Sequence, residues 1–556
     1  MSRARVAVFA VAVVWSAVLL VTLRAGRVQA PDSGGQPRPS RSNVHADVSM
    51  FAPSSDCLAC HNNLVTPIGE DVSIGANWRG SMMANSARDP YFLASVRREI
   101  LDHPSLAAEI EDECAACHVP AGQKAARAAG GQGQVFSHAR GGRDAGELGV
   151  ISRDGVSCTV CHQISPERLG TRESFNGNFV VAPRLASGLR RAYGALAPDA
   201  GRRRIMHSVT GFEQEQSTHV QQSELCATCH TLVTVARGPD GAIIGSLPEQ
   251  MNYQEWRHSA FYAEQRTCQS CHMPRAAGPV RIASVLGEYR PSLARHTFLG
   301  GNAFMIRLMN RFRDELGIEA TRAELEATAH ATVRQLEEDT ATVSIERATV
   351  AAGTLEFDVV VRNLTGHKFP TGFPSRRAWL HVTVRDPQGR AVFDSGRVTE
   401  TGLVQGNASD AAAGSVEPHY EQITSADQVQ IYESVMGTPA GVPTTGLLQA
   451  TQYLKDNRLL PRGFDKQTAA AEIAVYGGAA TDPDFTGDGD RVRYRVAAAG
   501  AAAVEVELRY QPLGYRWAQN LAPYKAAEPK KFLEYYNAVA SASSVVVARA
   551  SSPLRP

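Results

Sequence analysis

The chain has 556 residues, room for roughly three to four domains and a large buried core. Its 57 basic and 56 acidic residues leave a net charge of +1, which argues against a nucleic-acid binder held by bulk charge. Hydrophobic residues at 43% and charged residues at 20% argue against a disordered chain and a polytopic membrane protein, and ten cysteines in this length are too sparse for a disulfide-stapled mini-domain.

Arg3 and Arg5 precede an apolar run from Val6 to Leu23. A positive start followed by a long apolar stretch reads as an export signal. The run is 18 residues long, at the lower limit of a membrane-spanning helix. Val28-Gln29-Ala30 is only a partial cleavage site, with Pro31 just after it. A removed signal peptide and an uncleaved anchor both fit residues 1–30. Either places the bulk of the chain in the periplasm, free or tethered to the inner membrane. Residues 31–55, rich in Pro, Ser and Gly, read as a flexible tether.

The cysteines fall in five pairs, each followed by histidine. Cys57 and Cys60 precede His61, Cys114 and Cys117 precede His118, and Cys158 and Cys161 precede His162. Cys226 and Cys229 precede His230, and Cys268 and Cys271 precede His272. Cys-x-x-Cys-His is the attachment motif of c-type haem. Two thiols three positions apart lie on one side of a helical turn, where they form thioethers to the two haem vinyl groups. The adjacent histidine then supplies the proximal iron ligand. With 16 His in the chain, chance would place one after all five pairs with a probability on the order of 10⁻⁸. Zinc sites have no need of histidine at the same place five times, and four-residue disulfides would staple almost no chain. Five covalent haems are therefore expected between Cys57 and His272. That leaves about 43 residues per haem, too few for five separate cores, so the haems themselves fill much of the interior. Helices and long loops are expected around them, over residues 56–299.

Eleven histidines lie outside the motifs, and each iron has a sixth position that histidine or methionine can fill. His207 and His219 flank the approach to the fourth motif. His296 follows the fifth motif, ahead of a helix with the stripe Met305, Leu308, Met309, Phe312 and Leu316, closed by Gly317. His367 lies in a loop rich in Gly and Pro between two strands, placed to reach back to the motifs. Met83 follows Trp78-x-x-Ser81, which parallels Trp256-x-x-Ser259 around His258. Met83, His207, His219, His296 and His367 are the chosen distal ligands, with His258 in reserve. His330 falls in a helix started by the capping box Thr321/Glu324, and His381 on the water face of a strand. Residues 300–342 read as a helical connector.

From Val343 the period changes to two. Leu355, Phe357, Val359 and Val361 alternate with polar residues, as do Leu380, Val382, Val384 and later Val504, Val506, Leu508, Tyr510. This predicts an antiparallel β-sandwich over residues 343–550, interrupted by an insertion at about 400–495. The Asp/Gly-rich loop Asp482–Asp490 is a candidate for wrapping calcium, set against a plain turn. The fold class expected is α+β: a helical, loop-rich multihaem domain followed by the sandwich.

These residues resemble the multihaem c-type cytochromes grouped around cytochrome c-554, a superfamily that includes pentahaem nitrite reductase and octahaem hydroxylamine oxidoreductase. The segments that carry the resemblance are Trp78 to Phe92, Gly155 to His162, Ser223 to His230 and Tyr253 to Pro274. Asn363 to Pro374 and Tyr453 to Pro461 look like the large exported members with a C-terminal β domain. The resembled nitrite reductases attach their catalytic haem through Cys-x-x-Cys-Lys, whereas all five motifs here end in His. Five haems also cannot supply the octahaem arrangement. The resemblance therefore implies an exported carrier of electrons between redox-partner proteins or small-molecule donors and acceptors. The alternatives are an oxidoreductase acting on a small nitrogen or sulfur compound at one five-coordinate haem, and a docking subunit with haems as wiring.

Overall fold

The computed structural model describes residues 50–140 and 146–554. The export segment, His45 and most of the tether lie outside the described residues. Among the described residues no helix is long and apolar enough to cross a membrane. The fold is α+β, with most helices in the motif half and two larger sheets in the C-terminal half.

Residues of period two form the strands expected of them, because alternate side chains enter one core. Strand Thr354–Asn363 sends Leu355, Phe357, Val359 and Val361 inward. It pairs with Ala341–Ala351 on one side and Asp490–Ala497 on the other, and short Gln422–Ile423 completes a four-stranded sheet. The facing sheet runs Gln452–Asp456, Ile431–Gly437, Arg377–Arg385, Ala503–Gln511 and Val545–Pro553, with Ala391–Ser395 also on Arg377–Arg385. Its register sets Leu380, Val382 and Val384 beside Leu508, Val506 and Val504. The inner faces of both sheets meet in one large apolar cluster.

Three features depart from the sequence reading. The stretch expected as an insertion at about 400–495 supplies strands to both sheets, so it is part of the sandwich. Its strands are short and parted by long turns, which hides their period. Helices Tyr515–Gln519 and Ala527–Val539 interrupt the last strands. The longer one packs on helix Pro90–Asp102 of the motif half, Tyr91 against Phe532 with ring centres 5.1 Å apart. His381 is set between the Asp394 and Glu507 carboxylates, at 3.0 and 3.4 Å, rather than facing open water.

The connector agrees with its local signals. Helix Ala303–Arg311 is followed by a turn closing at Gly317, which takes the left-handed conformation at φ 63°. Helix Arg322–Asp339 starts with the full Thr321/Glu324 capping box. His330 is exposed on it and pairs with Glu326.

Among the described residues the motif half has no apolar core of comparable size. Its buried side chains form several small clusters: one around Phe92, Val96 and Ile110, one around Ile151, Val160 and Phe179, one around Leu64 and Val280, and one around Tyr253 and Trp256. The halves interlock through Leu448, which joins the Phe92 cluster, and through Leu247, which packs on Met436 and Tyr453.

Candidate functional site

Each motif is a helical turn. His61, His162 and His230 close it by donating their backbone N–H to the first cysteine's carbonyl, each at 3.0 Å. The turns containing Cys114 and Cys268 belong to helices Ala107–His118 and Cys268–His272. Both thiols of a pair thereby come to one side, and all ten remain partly exposed. Burial pushes the Cys161 thiol up to about 12 and the Cys114 thiol higher still.

Three of the five motif histidines are oriented from behind. His61 Nδ1 donates to the Ile282 carbonyl at 2.6 Å and His162 Nδ1 to the Tyr193 carbonyl at 2.5 Å. His272 Nδ1 donates to the Leu299 carbonyl. Such a bond fixes the tautomer that leaves Nε2 free to bind a metal. Burial holds His118 and His230 down to about 4, so both are neutral at pH 7. His230 is hemmed in by protein yet its ring surface is open, as expected of a side chain lining an internal gap.

Two chosen distal candidates stand opposite motif histidines. The His296 ring faces His162 at 6.4 Å between centres and 22° between planes. The His367 ring faces His272 at 6.3 Å and 15°. A metal–imidazole bond of about 2.0 Å, with the ring centre about 1.1 Å behind the nitrogen, sets two rings about 6.2 Å apart across one iron. His296 Nδ1 donates to the Ala294 carbonyl at 3.1 Å and His367 Nδ1 to the Lys368 carbonyl at 2.9 Å, again leaving Nε2 free. The chemistry of these donor sets fits haem iron.

The other candidates are placed differently. His207 is exposed on helix Ala200–Thr210. His219 is buried, but its Nε2 donates to the Ile164 carbonyl at 2.8 Å and its Nδ1 accepts from Ser217 at 2.6 Å, so both nitrogens are taken. Met83 is partly buried beside the third motif, its carbonyl accepting the Val156 N–H at 3.0 Å. His258 donates Nε2 to the Asp465 carbonyl at 2.9 Å and stands edge-on to Phe464. Near the second motif, Phe92 lies flat on His118 at 3.8 Å. His103 Nε2, His118 Nδ1 and His138 Nδ1 are buried with no partner. Sequence reading passed over His103 and His138, since neither adjoins a motif or a recognisable loop signal.

The motifs touch through their thiols. Cys57 lies beside Cys158, Cys117 beside Cys229 and Cys226 beside Cys268, while Cys161 lies within electrostatic reach of Cys229. The first motif thus adjoins the third, and the fourth adjoins the second, third and fifth.

Cys60 and Cys271 are the second cysteines of the first and fifth motifs. Cys60 is held through its backbone, its carbonyl accepting the Ser284 N–H at 2.8 Å and the Ser284 hydroxyl at 3.0 Å. Cys271 Sγ lies 3.9 Å from the Arg266 guanidinium and 3.7 Å from the Ser270 hydroxyl, at an exposed edge of its turn.

The loop Asp482–Asp490 carries a cluster of His419, Asp482 and Asp490. Lys466 Nζ donates to the Ala479 and Asp482 carbonyls, which brings a cation beside the cluster. Gln430 and Asn457 amides both donate to His419 Nδ1, at 2.9 and 3.1 Å, which puts the proton on Nε2, facing Asp482 at 2.9 Å. That tautomer offers no lone pair to a metal. Burial pushes Asp490 up to about 7, against bonds from Tyr432 and Gln430 that favour its charge. The ordinary value is 3.8, so between these pH values the folded chain keeps a proton that the unfolded chain loses. Stability then falls as pH rises through that window, by up to about 1.4 kcal/mol per pH unit. Asp490→Asn is expected to flatten this fall. Melting temperatures of the variant and parent, compared near pH 4 and pH 7, should diverge in favour of the variant at the higher pH; a constant difference contradicts the assignment.

No protein-family model matches the chain, and no curated protein matches it. Among solved structures the chain is similar to a penta-heme cytochrome c552 from Thermochromatium tepidum, at 16% identity and a TM-score of 0.49, over 91% of this chain and 99% of that chain. A likeness at that level decides neither cofactor nor activity.

Proposed function

We propose that the chain is an exported electron-transfer protein that carries five covalent c-type haems and relays electrons between redox partners. The observation that supports it most is the pair of opposed imidazoles, His162/His296 and His272/His367, each uniting a Cys-x-x-Cys-His histidine with a second one at the spacing of a single iron. Haem iron supplies one-electron chemistry, and two histidines hold it six-coordinate at low potential, suited to carrying electrons rather than binding substrate. The cysteines anchor each haem, the motif histidines are the proximal ligands, and His296 and His367 are the distal ligands of the third and fifth sites. Thiol contacts support a branched order, first to third to fourth, with the second and fifth sites each on the fourth. The N-terminal segment directs export, to the periplasm or to its inner-membrane face.

The alternative is an oxidoreductase for a small nitrogen or sulfur compound. The observation favouring it is at His118, whose ring is covered by Phe92 with no imidazole across from it among the described ring contacts. A pyridine haemochrome assay with protein quantitation is expected to give five haems per chain, and three or fewer would refute the count. Electron paramagnetic resonance of the oxidised protein separates the readings. Low-spin signals alone fit the carrier, and a substantial high-spin signal fits the open site.

A further inference from the structure

Glu255 lies in the motif half, in the short helix Asn252–Arg257, and is fully buried. Its Oε2 accepts the Lys368 backbone N–H at 3.2 Å and the Thr371 hydroxyl at 2.6 Å. Its Oε1 pairs with Arg458 at 2.9 Å. Arg458 forks onto Asp456 at 2.8 and 2.7 Å, and Asp456 Oδ2 accepts from Lys368 Nζ at 2.8 Å. Lys368 Nζ also donates to the Ala474 carbonyl at 3.0 Å. All four charged side chains are almost completely shielded from solvent.

A buried set of two cations and two anions stabilises a fold no better than apolar side chains of similar size, and what it can secure is fixed geometry. The fixed object here is the loop bearing His367. Asn363 and Thr365 hold the His367 carbonyl at 2.7 and 2.9 Å, and the Phe369 N–H is tied to the Leu459 carbonyl at 2.8 Å. Those ties all come from the β half. Glu255 binds the next residue's N–H from the motif half, where His272 stands. Gly366 permits the approach: a Cβ there would meet the Phe261 ring at 3.1 Å.

We infer that Glu255 is a positioning residue for the sixth ligand of the fifth iron, its carboxylate pinning the His367 loop to the motif half so that the two imidazoles keep their 6.3 Å spacing. The inference rests on the reading of His367 as a distal ligand. A backbone amide and a hydroxyl converging on one carboxylate leave the loop little freedom to swing its imidazole away. The Glu255 charge also reaches the His367 imidazole, so its removal raises that iron's potential.

The test uses the full chain with five haems attached. In Glu255→Ala one haem in five should become partly high-spin, and added imidazole should return it to low-spin. Glu255→Gln keeps an acceptor for the loop and should stay low-spin while raising one of the five potentials. Thr371→Val, which removes one of the two loop bonds with little change of shape, should give a smaller high-spin fraction and keeps the test open if the alanine variant does not accumulate. An unaltered low-spin spectrum in both Glu255→Ala and Thr371→Val overturns the inference. If His367→Ala still creates a high-spin haem in that case, the ligand reading survives alone; if His367→Ala is silent too, both fall.

Discussion

Replacing His296 and His367 together by alanine is expected to convert two of the five haems from low-spin to high-spin, one for each single change. Each imidazole stands at single-iron spacing from a motif histidine, with Nδ1 committed to a backbone carbonyl. Alanine leaves the iron a position that only water or an added ligand can take. The two changes should differ in stability. His296 joins two parts of the motif half, whereas His367 ties that half to the sandwich, so the His367 variant should show the larger fall in melting temperature. His258→Ala is the control. Its Nε2 is spent on the Asp465 carbonyl, and its haem spectra should be unchanged. A new high-spin signal in the His258 variant, with none in the His367 variant, would reverse the assignment.

Full-length chain made without haem attachment is expected to lack a fixed structure over residues 57–272. The sandwich has one large apolar cluster drawn from both sheets. The motif half has only small separate clusters, parted by the histidines and thiols that line the gaps. Clusters of that size cannot offset the entropy of ordering about two hundred residues, at roughly 1–2 kcal/mol for each backbone unit. Covalent haem supplies the missing apolar volume and cross-links the turns. Limited proteolysis of haem-free chain should cut within residues 57–272 first, while the haem-loaded chain resists. A haem-free chain resistant throughout that segment would show that protein side chains alone suffice.

The five Cys-x-x-Cys-His turns were legible because each is local. Two cysteines and a histidine within five residues make one turn, and the backbone bond from His162 to Cys158 shows why the spacing is enough. The capping box at Thr321, the left-handed Gly317 and the alternation from Leu355 to Val361 were legible for the same reason, each depending on neighbours in sequence. The stretch at 400–495 was not, since its short strands join sheets whose other members lie far away in the chain.

Distal ligation is the opposite case. Nothing within a few residues of a histidine tells whether an iron lies in front of it. His219 and His296 look alike in sequence, polar neighbours near a motif, yet one has both nitrogens bonded to protein and the other keeps Nε2 free opposite His162. The amino-acid sequence by itself determined where the five Cys-x-x-Cys-His turns form, that the C-terminal half is β, and where the connecting helices begin and end. Only the tertiary structure decided which imidazoles face each other and which motifs touch. Such pairing comes from long-range packing, such as the Glu255 carboxylate meeting the Lys368 amide across more than a hundred residues, and no local pattern encodes it.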